Sequence, residues 1–121
     1  MTLIINGQDF SAYIQQKTDI TETMRRIVGP AQDTAVDGTE ILDLVKIKWD
    51  PAFRLKPLPK SMMQQLLAMM VQEQVTIQYD SVVQNTLREI DAEPVSITVQ
   101  YATTKDGEDI YADTPISFME V

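Results

Sequence analysis

Four carboxylates stand close together near the C-terminal end of the chain: Asp106, Glu108, Asp109 and Asp113. Two kinds of chemistry use such a group. A hard cation such as calcium takes several carboxylate oxygens at once. Two acids facing one cleft can also divide the roles of general acid and general base. The spacing favours neither. The spacing does not match the twelve-residue calcium loop of the helix–loop–helix kind with its terminal glutamate. Asp106-Gly107 reads instead as a hairpin turn that leaves its charges in water. No catalytic, cofactor-binding or metal-ligating residue is assigned on this pattern.

The missing residue types point the same way. Among 121 residues there is no histidine and no cysteine. The commonest base near neutral pH and the commonest metal ligand are therefore absent, along with thiolate chemistry and disulfide staples. There is no glycine-rich phosphate loop, no serine-centred nucleophile elbow and no zinc spacing. The expectation is a protein that is not an enzyme and carries no cofactor. No apolar stretch approaches the ~20 residues that span a bilayer, and no basic leader precedes residues 1–10, so a membrane role and a cleaved export signal are not expected.

Charge is unevenly placed. The net charge is -8. Residues 1–60 balance, whereas residues 61–121 hold only Arg88 and Lys105 against ten acids. Phosphate contacts need lysine and arginine, so specific nucleic-acid binding is not expected. An acidic surface can still serve DNA by repelling it along a channel wall, or simply be a solvated face. Arg25-Arg26 is the one small basic patch and could meet the acidic half of an identical chain in a head-to-tail ring.

The elements that must position these groups are mostly strands. Residues 3–5, Asn6-Gly7 and residues 8–10 read as a tight hairpin, because Asn-Gly favours the type I′ turn. Residues 18–28 alternate imperfectly, with Glu22 between Ile20 and Met24 on one face, as an edge strand would. Gly29-Pro30 stops that strand. Residues 41–49 form a strong strand with Lys46 and Lys48 toward solvent and Trp49 as its core anchor. The pattern slips by one residue near Leu44, as at a bulge or in a strand buried on both faces at one end. Pro51, Pro57 and Pro59 then disfavour ladder pairing.

Residues 59–73 read as a helix, with Met63, Leu66, Leu67 and Met70 at i, i+3, i+4 and i+7. Its methionines could make an adaptable binding face, but helical spacing favours core filling. Strands follow at 75–79, within 82–90 with a turn near Gln84-Asn85, at 95–101, and in the tail 110–121. The whole reads as a single α+β domain over residues 1–121: an antiparallel β-sandwich or partly open β-barrel with one flanking amphipathic helix.

Between the strands at 18–28 and 41–49 lies a polar connection of unusual length, expected to protrude as a loop over residues 28–40. Such an arm is expected to hold another subunit. The candidate interface residues are Arg25, Arg26, Val28, Gln32, Asp33, Thr34, Val36, Asp37 and Glu40.

Three segments in order carry a resemblance: the opening LIINGQDFS, the run EILDLVKIKWDP after Asp37-Gly38, and the PLPKSMMQQLLAMM helix leading to a closing ISFMEV. Together they resemble small tail structural proteins of phages and prophages of Gram-positive bacteria, of the tail-tube or tail-hub kind. The resemblance implies a virion structural component without enzymatic activity, located in the tail after assembly in the host cytoplasm. It implies homo-oligomeric rings, contacts with other tail proteins through the 28–40 loop, and DNA passing through an acidic lumen. The rival reading is a ligand- or carbohydrate-binding β-module, which would display several exposed aromatic rings.

Overall fold

The computed structural model describes residues 1–28 and 45–121. Among them are ten strands and one α-helix: β1 (Leu3–Ile5), β2 (Gln8–Asp9), β3 (Ile20–Val28), β4 (Val45–Leu55), β5 (Leu58–Pro59), α1 (Lys60–Met70), β6 (Val75–Asp80), β7 (Leu87–Ile97), β8 (Tyr101–Lys105), β9 (Glu108–Tyr111) and β10 (Thr114–Glu120). Seven strands make one antiparallel sheet in the order β2-β1-β6-β7-β10-β4-β3, and three make a second in the order β5-β9-β8. The fold is thus α+β, with two antiparallel sheets and a flanking helix as expected. The larger sheet is not closed into a barrel, and the arrangement is consistent with the sandwich.

Local chemistry explains the turns. Asn6 and Gly7 both have positive φ, 48° and 80°, and join β1 to β2; Asp106 and Gly107, at 54° and 78°, join β8 to β9. A type I′ turn requires that pair of conformations, which asparagine, aspartate and glycine reach at least cost. Between β2 and β3 a short 3-10 turn, Lys17–Asp19, is closed by a capping box with Gln16. Strand β3 therefore starts at Ile20, not at residue 18.

The helix buries Met63 and Leu66, and Met62, Met69 and Met70 pack partly against the core. Leu67, expected in the stripe, is 37% exposed. The helix touches β7 of the larger sheet and β5 and β9 of the smaller one. Alternate residues of β6, Val75, Ile77 and Tyr79, are buried. They join Leu3, Ile5, Phe10, Phe53, Leu55, Ile116 and Phe118 in one core cluster.

Three expectations about strands need correction. Strand β4 runs straight through Pro51 to Leu55, and its core anchors are Phe53 and Leu55, while Trp49 is only half-buried. The Trp49 N–H points toward β10, so by the alternation of a strand the Pro51 nitrogen does too. The β4–β10 ladder ends at Ala52. The missing N–H therefore falls where no main-chain bond is made, which is how a strand tolerates proline. Secondly, residues 87–97 form one strand rather than two, while the turn expected near Gln84-Asn85 is present over residues 82–86, with Asn85 at positive φ. Thirdly, the regular alternation at 95–101 does not mark a core face. Val95 lies unpaired at a bulge opposite Ser117 and Phe118, and Val95, Val99 and Tyr101 are exposed.

Candidate assembly site on the β3–β4 ribbon

Strands β3 and β4 pair over nine rungs, from Ile20↔Phe53 to Val28↔Val45. Strand β10 accompanies β4 only from Leu55 to Ala52. Beyond Ala52 the pair leaves the sheet as a two-stranded ribbon. Its faces follow from the period of two. One face continues the core side and carries Met24, Arg26, Ile47 and Trp49; the other carries Thr23, Arg25, Ile27, Lys46 and Lys48. Met24 and Ile47 are 53% and 47% exposed, while Trp49 on the same face is half-buried.

Side chains hold the fork where the ribbon departs. Glu120 Oε2 accepts from the Trp49 N–H at 2.7 Å, and Asp50 Oδ1 accepts from the Glu120 N–H at 3.0 Å. Two carboxylates thus stand in for the main-chain acceptors lost past Pro51. Each is matched by a guanidinium. Arg25 Nε donates to Asp50 Oδ2 at 3.0 Å and Arg25 Nη2 to the Glu120 carbonyl at 2.6 Å. Arg88 Nη2 meets Glu120 Oε1 at 2.8 Å.

Arg88 then carries the network inward. Its Nη1 donates to the Tyr79 hydroxyl at 2.7 Å, and that hydroxyl donates to Glu22 Oε2 at 2.7 Å. Ser81 Oγ and the Val83 N–H both donate to Glu22 Oε1, at 2.7 and 3.0 Å. The Glu22 side chain is 1% exposed and that of Arg88 12%. Strand β3 is four places from β6 in sheet order, so Glu22 joins the edge of the larger sheet to its middle. The reach of the network requires the sheet to curl over its own core.

Burial works against the Glu22 charge, yet the hydrogen bonds from Ser81, Tyr79 and Val83 outweigh it and hold the carboxyl below its ordinary value of 4.5. Burial and the Glu22 carboxylate together push the Tyr79 phenol well up, so it stays a neutral donor. A depressed carboxyl stabilises the fold above its unfolded pKa, and that stability is lost as pH falls through the folded value. The urea midpoint is therefore expected to drop as pH is taken below about 4.5, the unshifted glutamate value. Glu22→Gln should flatten that dependence, and an unchanged slope in the variant would assign acid sensitivity to other carboxylates.

The network is built to hold. Its central carboxylate and phenol are both almost fully buried. Of the residues expected at an interface, Arg25 is half-buried and engaged within the chain, Arg26 is exposed on the core-side face of the ribbon, and Val28 pairs with Val45 at the last described rung. Gln32, Asp33, Thr34, Val36, Asp37 and Glu40, like most of the 28–40 loop, lie outside the described residues. Glu22, Tyr79, Arg88 and Glu120 were not anticipated. The available signal was Glu22 itself, a carboxylate on the apolar side of a strand.

The acidic group near the C-terminal end is dispersed by the fold. Asp106 sits exposed on the β8–β9 turn. Glu108 accepts from the Ser61 N–H at the start of α1, at 3.1 Å, Asp109 accepts from Thr104, and Asp113 pairs with Arg54 at 3.7 Å. Among the described residues no group of three potential ligands could hold a metal ion, and no helix is long and apolar enough to cross a membrane. Tyr101 is the one aromatic among the exposed large side chains described. Comparison with protein-family models, curated proteins and solved structures returned no match.

Proposed function

We propose that this chain is a non-enzymatic structural subunit of a phage or prophage tail, a tube or baseplate/hub component. It forms homo-oligomeric rings through sheet edges and the β3–β4 ribbon, with the 28–40 loop at the ribbon's end reaching a neighbouring subunit. It acts in the virion after assembly in the host cytoplasm. The observation that carries this reading is the ribbon. A two-stranded hairpin without a third strand is marginal in water, and an exposed edge strand invites pairing. Here such a ribbon is anchored at its root by two ion pairs and presents Met24, Ile27 and Ile47 outward. Investment of that kind in an exposed lever suits a surface that becomes covered on assembly. The acidic second half, ten acids against two bases, suits a lumen wall along which DNA slides without adhering.

The carbohydrate-binding alternative draws less support, because one exposed tyrosine does not make a stacking platform. The test is solution mass as a function of concentration. The intact chain is expected to self-associate. Replacing residues 29–44 with Asn-Gly, which joins Val28 to Val45 by a tight turn, should keep the circular dichroism spectrum and shift the chain toward monomer. A wild-type chain that stays strictly monomeric at millimolar concentration sinks the reading.

A further inference from the structure

The far half of the ribbon, residues 23–28 and 45–49, carries Arg25, Arg26, Lys46 and Lys48 and no acidic side chain, on a chain of net charge -8. Lys46 and Lys48 stand on the face opposite the core, since Phe53 and Leu55 of the same strand are buried on the other side. Directly across the pair lies Ile27, partnered with Lys46. On β7, Glu89, Asp91 and Glu93 alternate with the buried Ile90 and Ala92 and are all exposed. None of the three forms an ion pair among the described residues. Met119, half-buried, lies beside Glu93 on the same face.

The two rows have one repeat. Alternate residues of a strand are about 6.6 Å apart, so Lys46 and Lys48 match the spacing of neighbouring carboxylates on β7. Within the chain Lys48 Nζ donates to the Val121 carbonyl at 3.0 Å, and neither lysine forms an ion pair among the described residues. We propose that the ribbon of one copy lies against the outer face of β7 in a second copy, with Lys46 and Lys48 on the Glu89–Asp91–Glu93 row and Ile27 against Met119. This rests on the assembly reading above and names its contact. The arrangement is head-to-tail, because the two surfaces differ, and repeats to a ring or a filament.

The experiment is sedimentation equilibrium of the whole chain at low and high salt, with the fold of each variant checked by circular dichroism. Lys46→Glu with Lys48→Glu, and separately Glu89→Lys with Glu93→Lys, should each raise the dissociation constant at least tenfold. Mixing the two charge-reversed chains should restore association, because the pairs are then complementary again, and salt should weaken wild-type association. Self-association that survives both reversals overturns this contact while leaving assembly through other edges standing. Weakening by both without rescue on mixing overturns the pairing of these two faces. A wild-type monomer overturns the contact together with the assembly reading. A short DNA duplex is the competing ligand for the lysines. If it binds the wild type, loses binding in the lysine variant, and self-association is unaffected, the face belongs to nucleic acid and the proposal falls.

Discussion

Replacing Arg88 with alanine is expected to destabilise the fold by about 3–5 kcal/mol, because it leaves buried carboxylates without their cation. Arg88 bonds Glu120 and Tyr79 and lies 3.6 Å from Glu22. Its loss strands Glu120 beside the Trp49 N–H and removes the positive charge nearest the almost fully buried Glu22. The fold would respond by taking up protons, so the deficit should shrink as pH is lowered toward the carboxylate range. Arg88→Met keeps much of the packing of the stem and isolates the charge term. Combining it with Glu22→Gln should recover part of the loss, since removing a buried charge together with its partner costs less than removing one alone. Chemical denaturation of the four chains measures this directly. A deficit under about 1 kcal/mol for Arg88→Ala would mean the pair behaves as an exposed one, and the root of the ribbon would not be held as described.

What the sequence disclosed depended on how local each signal was. Asn6-Gly7 and Asp106-Gly107 state their turns because positive φ is a property of single residues. Helix α1 announces itself through its period. The edge position of β3 was readable because Glu22 breaks the alternation of Ile20 and Met24. The meaning of Glu22 was not readable, because its partners Tyr79 and Ser81 are 57 and 59 residues away. Nothing near Glu22 in the chain says that a phenol and a guanidinium will arrive. Pro51 misled for a related reason. Proline disfavours a ladder only on the side its nitrogen faces, and which side is open depends on where β10 ends. The alternation at 95–101 misled because a bulge at Val95 and the step from one sheet to the other decouple period from burial.

The ribbon is only as useful as its root is stiff. A charged surface on a hinged lever would lose much of its binding energy to ordering. In this chain the fork is locked on the two strands flanking the gap. Arg25 and Asp50 lie on the ribbon, and Glu120 on β10 accepts from one and donates its N–H to the other. Arg88 ties that lock to Tyr79, whose ring is fully buried in the core. The orientation of the proposed contact face is in this way referred back to the packing of aromatic side chains.

Phe53 is the residue where that reference is made, and Phe53→Ala is expected to cost about 3–5 kcal/mol. Its ring lies 5.3 Å from that of Tyr79 and 6.0 Å from that of Phe118, both edge-on. Its main chain is flanked by Ile20 on β3 and Ile116 on β10, so it fills the last fully covered position before the ribbon leaves the sheet. Truncation removes the transfer energy of the ring, opens a cavity among large neighbours, and forfeits two aromatic contacts worth roughly 0.5–1.5 kcal/mol each. Phe53→Leu should cost appreciably less, because it retains most of the volume. Tyr79→Phe should cost about 1–3 kcal/mol through the lost hydroxyl. The cycle between Phe53→Ala and Tyr79→Phe carries the sharper content. If the core positions the network, the Tyr79 hydroxyl is worth less once Phe53 is gone, and the two effects fall short of additive by more than about 0.5 kcal/mol. Strict additivity would separate core from network, and the stiffness of the ribbon would then have to come from the fork alone.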